Sequence, residues 1–93
     1  MIPEKRTGAK SYEASKSVKI LISAISDVKD FVAISTRHDV EATLSNDRYD
    51  VDAKSIMGVF SLDLSTPNNL FITAKSSELI DAYINDIKNY IVD

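Results

Sequence analysis

Two hydrophobic periods alternate along this chain, and the order in which they alternate restricts its fold more than any other feature. A period of two puts successive side chains on opposite faces of a strand, whereas a period near 3.6 gathers every third or fourth residue on one helix face. Val18, Ile20 and Ile22 alternate with Lys19 and Leu21, which predicts a strand over 18–23 with one strongly buried face. From Ser26 the period lengthens, and Val28, Phe31, Val32 and Ser35 share a helical face. Asp27 and Asp30 fall in its first turn and Arg37 and His38 in its last. That is the charge order a helix dipole favours. Val40, Ala42 and Leu44 alternate with Glu41, Thr43 and Ser45, predicting a strand over 40–45. Ser45-Asn46-Asp47 then supplies a turn, and Tyr49, Val51 and Ala53 make a third strand over 48–53, so the pair reads as a hairpin.

The run from Ser55 to Phe60 is too apolar for a loop and too short for a main helix. It predicts one or two helical turns capped by Ser55. Thr66-Pro67-Asn68-Asn69 is turn chemistry. Leu70, Ile72 and Ala74 alternate with Phe71 and Thr73 as a fourth strand over 70–75. Ser76 and Ser77 offer N-caps to a last helix with the stripe Ile80, Tyr83, Ile84, Ile87 and Ile91. The resulting order is β-α-β-β-α-β-α. Strands with a single apolar face need a helical cover, so the expectation is an open-faced α+β sandwich with one sheet and the helices on one side. Ninety-three residues suffice for one domain with one small core. Residues 1–16 have no sustained period and are punctuated by Pro3 and Gly8. They read as a flexible leader ahead of a domain over 17–93.

Composition removes several chemistries. The chain has no cysteine, which excludes disulfides, thiolate zinc, iron–sulfur clusters and a cysteine nucleophile. His38 is its single histidine, so no multi-histidine metal site is expected, and no cofactor is implied. No apolar run approaches the roughly 18 residues of a membrane span, and Met1 to Lys16 lack the apolar stretch of a signal peptide. A soluble cytoplasmic protein is expected. Residues 1–16 set Lys5, Arg6, Lys10 and Lys16 against Glu4 and Glu13, which is +2, so 17–93 carries −5 of the net −3. The aromatics read as core positions and are not interleaved with Arg or Lys. An acidic domain without a clustered basic face is not expected to bind nucleic acid.

At Ala53-Lys54-Ser55-Ile56-Met57-Gly58-Val59-Phe60-Ser61-Leu62 the sequence resembles the HPr phosphocarrier family of the bacterial sugar phosphotransferase system, its low-GC Gram-positive branch in particular. The element order and the last helix agree, so the resemblance spans about 17–93. It implies a βαββαβα sandwich, with four antiparallel strands and three helices. In that family a histidine within a Gly-x-His-x-Arg-Pro segment, at the start of the first helix, takes phosphate from enzyme I and passes it to sugar-specific acceptors. A serine before the short second helix is phosphorylated by a dedicated ATP-dependent kinase. The serine maps to Ser55. The histidine maps to Ala24 when counted from Ser55 and nearer Asp27 when counted from the first strand. Ser23-Ala24-Ile25-Ser26-Asp27-Val28 holds no glycine, histidine, arginine or proline.

His38 lies at the other end of the first helix, about 16 Å away for eleven residues at a rise of about 1.5 Å. There it reads as a surface histidine or C-cap, with a metal or phosphate role as the alternative. Ser55 likewise reads as a plain N-cap or as a regulatory phosphorylation site. Ile56, Met57, Val59 and Phe60 exceed what one face of a short helix can bury, so Lys54, Ile56, Met57 and Phe60 are candidates for protein docking. The competing reading sends Met57 and Phe60 into the core. Gly58 suggests close approach by a neighbour. The resemblance thus implies a phosphotransferase-system protein that works as a regulatory or binding module rather than as an enzyme. Its expected partners are phosphotransferase-system proteins, an HPr-type kinase or a transcriptional regulator, with no membrane partner. The alternatives are a true phosphocarrier using His38 or a carboxylate such as Asp27, and a structural interaction domain with no phosphate role.

Overall fold

The computed structural model describes residues 14–92. Four strands form one sheet: β1 (Ala14–Ile20), β2 (Glu41–Ser45), β3 (Asp50–Asp52) and β4 (Asn68–Ala74). Between them lie α1 (Ile25–Arg37) and α2 (Ile56–Phe60), and α3 (Ser77–Ile87) follows β4 and ends in a 3₁₀ turn over Lys88–Tyr90. The spatial order is β1-β4-β2-β3, and every neighbouring pair is antiparallel. Burial along β4 alternates residue by residue. Leu70, Ile72 and Ala74 face the helices, and Phe71 faces outward and is exposed. The expected α+β arrangement, with helices on one face of an antiparallel sheet, is the one the chain adopts.

The core is a single cluster. Phe31 and Val28 from α1, Ile80, Tyr83 and Ile87 from α3, and Leu44, Leu70 and Ile72 from the sheet are among its most buried members. Val59 is the one fully buried residue of α2. Burying side chains of this size stabilises each by about 1.5–3 kcal/mol relative to exposure. The apolar face foreseen for α1 is the face that packs, with Ser35 included.

Several boundaries differ from expectation for identifiable reasons. β1 covers 14–20 rather than 18–23, because its extent follows pairing with all seven residues of β4, from Ala14↔Ala74 to Ile20↔Asn68. It thereby enters the segment read as leader; residues 1–13 lie outside the described residues. Past Ile20 the chain leaves β4, and the Leu21 N–H donates to the Tyr90 carbonyl at 2.8 Å. Ile22 is still buried, outside any strand. β3 is only three residues long because Tyr49 is spent on the turn: Asn46 Oδ1 accepts from the Arg48 and Tyr49 N–H groups, and the Tyr49 carbonyl accepts from Asn46. Tyr49 is therefore exposed, and, like Phe71, it corrects the expectation that the aromatics are core. Asn68 and Asn69 belong to β4 rather than to a turn. Buried Asn68 ties the preceding loop down by donating from Nδ2 to the carbonyls of Asp63 and Thr66. Finally, α3 stops at Ile87, and Ile91 reaches the core from beyond it, bridging antiparallel to Ile20. No helix among the described residues is long and apolar enough to cross a membrane.

Candidate functional site

The α2 surface is built from a serine that caps a helix and a helix too short to hide its own apolar residues. Ser55 has extended backbone angles, and its Oγ accepts from the Gly58 N–H at 3.2 Å. This bond satisfies one of the four amides a helix start leaves free. The Ser55 side chain is exposed. Asp52 sets up the entry, since its carbonyl accepts from the Ser55 N–H and its Oδ1 from the Lys54 N–H. Within α2, Val59 is 0% exposed, Ile56 37%, Phe60 40% and Met57 77%. Met57 and Phe60 therefore do not fill the core.

Gly58 explains how α2 sits so low. A Cβ built there would stand 3.2 Å from Val51 Cβ and 3.3 Å from Ser55 Oγ. The close approach is thus to the β3 side chain and to the cap itself. The helix closes through Ser61, whose Oγ donates to the Gly58 carbonyl at 2.6 Å. Lys54 points elsewhere: its Nζ donates to the His38 carbonyl at 3.2 Å, fastening the start of α2 to the end of α1.

The start of α1 is bare by comparison. Ala24 occupies the N-cap and makes no side-chain cap bond, and Asp27 stands in the first turn. His38 is the C-cap of α1, at the opposite end, and its backbone N–H reaches the Ser35 carbonyl at 3.4 Å. Its Nε2 meets Asp86 Oδ2 of α3 at 2.7 Å, and its ring lies tilted over Tyr83 with centroids 5.3 Å apart. Beneath it the Tyr83 hydroxyl and Ser35 Oγ are 2.6 Å apart, and Ser35 donates to the Phe31 carbonyl. With that proton committed, Tyr83 is the donor of the pair. Burial pushes the Tyr83 phenol up to about 12, the Asp52 charge adds to the shift, and the Ser35 hydrogen bond opposes it. A shallow groove of about 300 Å³ beside this cluster is lined by Asp30, Ile34, Arg37, Asp86 and Tyr90 among others, and shares no residue with the Ser55 surface. Burial raises the Tyr90 phenol, helped by the charges of Asp27 and Asp30. Among the described residues no three histidine, aspartate or glutamate side chains come together as a metal site.

Neither a protein-family model nor a curated protein matches the chain. Solved structures do. The HPr-C-His protein from Thermoanaerobacter tengcongensis superposes with a TM-score of 0.60 at 26% identity, over 81% of this chain and 91% of that one. The phosphocarrier protein HPr from Bacillus anthracis superposes with a TM-score of 0.55 at 26% identity, over 78% of this chain and 94% of that one. The chain is an HPr-like protein. In this HPr-like chain the structure brings together Ser55, Ile56, Met57 and Phe60 on one exposed element, with Lys54 at its root. It keeps Asp27 and His38 at opposite ends of α1. The partnership of His38 with Asp86, 48 residues away, escaped sequence reasoning, as did the Lys54 bond to the His38 carbonyl. Neither has a local signature: each depends on how separate helices dock.

Proposed function

We propose that this HPr-like protein is a regulatory or protein-binding module that carries no phosphate on histidine, is modified at Ser55 and docks partners through α2. The observation that supports it is a pairing of exposures: the Ser55 hydroxyl is exposed, and it leads directly into Ile56, Met57 and Phe60, none of which the core takes in. A kinase would move the γ-phosphoryl group of ATP to Ser55 Oγ, with the hydroxyl proton passing to the kinase and ADP leaving. The product charge of about −1.5 to −2 would sit where the helix dipole tolerates it. Such a group changes which surface docks without unfolding the helix.

The carrier reading is less well supplied. Ala24, Ile25, Ser26 and Asp27 offer no imidazole at the start of α1, and Asp27 would repel a phosphoryl group arriving there. His38 has one ring nitrogen on Asp86 and sits at the negative end of the α1 dipole. Two labelling reactions test the proposal. An HPr-type kinase with labelled ATP is expected to label the protein, and Ser55→Ala to abolish the label. Enzyme I with labelled phosphoenolpyruvate is expected to leave it unlabelled. Acid-labile, base-stable label on His38 would replace the module with a carrier. Absence of label from both reactions would leave α2 docking as the whole function.

A further inference from the structure

We propose that the α2 surface receives a protein partner whose apolar contact is edged by lysine and arginine. The inference rests on reading α2 as the docking surface and adds the sign of the partner's charge. Met57, Ile56 and Phe60 supply the apolar centre. Asp52 stands at the turn into the helix, where it accepts from Lys54 N–H, and exposed Asp63 stands three residues past its end. Hydrogen bonds from the Ser65 hydroxyl and N–H hold one Asp63 carboxylate oxygen and keep its pKa below the ordinary value.

The cations nearest in sequence are directed elsewhere. Lys54 is the sole lysine or arginine from Asp50 to Asp63, and its ammonium donates to the His38 carbonyl at the end of α1. Arg37, one residue before His38, lines the groove between α1 and the end of α3 alongside Asp86. Asp39, exposed, follows His38, the residue whose carbonyl takes the Lys54 ammonium. Arg48 sits in the β2–β3 turn between Asp47 and Asp50. An apolar centre with an acidic rim steers in partners of opposite rim charge and rejects like charge, mainly through association rate and salt dependence.

The test uses the full chain and two synthetic amphipathic helical peptides that share one leucine stripe and differ only in flanking residues, lysine in one and glutamate in the other. Backbone amide shifts are followed by NMR at low and high salt. The lysine peptide is expected to move Met57, Gly58 and Phe60, with affinity falling roughly tenfold as salt rises from about 50 to about 500 mM. Met57→Ser should abolish those shifts and leave the rest of the spectrum in place, since this side chain is mostly in solvent. Asp52→Asn with Asp63→Asn should flatten the salt dependence, and Ser55→Asp should tighten binding. Equal or tighter binding of the glutamate peptide would overturn the charge rule while leaving α2 a docking surface. Shifts at α2 from neither peptide, or the same shifts produced by concentrating the protein alone, would overturn both.

Discussion

Ser55 caps α2 by accepting from Gly58 N–H, so Ser55→Ala removes that acceptor and is expected to cost about 0.5–2 kcal/mol in urea denaturation. Ser55→Asp is expected to hold stability near the parent, because a carboxylate also caps a helix start. Tyr83 behaves differently, since its hydroxyl is buried and bonded to Ser35. Its folded pKa of about 12 exceeds the roughly 10 of an unfolded tyrosine. The neutral phenol therefore stabilises the fold fully below about pH 10, and that contribution is lost as pH rises through about 12. Denaturation midpoints at pH 9, 10.5 and 11.5 should fall in that order, with phenolate absorbance marking a late-titrating tyrosine. The Ser55 cap was legible in the sequence because a serine before an apolar run carries its own reason. The pairs Ser35–Tyr83 and His38–Asp86 were not, because each joins residues 48 apart on helices whose relative placement only packing decides.

Elements follow their periods where one face is wholly buried and depart from them where a neighbour sets the length. In α3 the stripe Ile80, Tyr83 and Ile87 is buried as spaced, and Ser76 caps the helix by accepting from Leu79 N–H. Ile84 is only half-buried on the flank. Ile87→Ala is thus expected to cost about 2–5 kcal/mol, and Ile84→Ala distinctly less, by the same denaturant measurement. Equal costs would mean that α3 is rotated from the position described. β1 shows the opposite case: its own alternation of Val18, Ile20 and Ile22 pointed to a later strand, but the seven residues of β4 offered backbone partners from Ala14 onward. α2 was legible as a helix with a surplus of apolar residues. Which of them stay outside depended on Val59 alone fitting beneath, with Gly58 pressed against Val51.

At the scale of the whole molecule, the α+β order was legible because the switches of period are sharp and the turns between them carry Asn, Pro or Ser. The order of strands in space was not, since β1-β4-β2-β3 places the first strand beside the last. Loop-closure entropy opposes such pairing until the rest of the core rewards it, so folding is expected to be slower than in a helical bundle of equal length, as stopped-flow fluorescence of the tyrosines can measure. The short C-terminal segment that meets β1 has a mechanical consequence. Among the described residues, two backbone bonds hold it there, Leu21 N–H to the Tyr90 carbonyl and Val92 N–H to the Lys19 carbonyl. Because it runs antiparallel to β1, the segment heads from Tyr90 to Val92 toward the Ala14 end of that strand. Tension applied between Ala14 and Val92 would load those two bonds one after the other, as in a zipper, rather than together, as in shear. The molecule should yield at its seam under small forces while the four-stranded sheet stays whole.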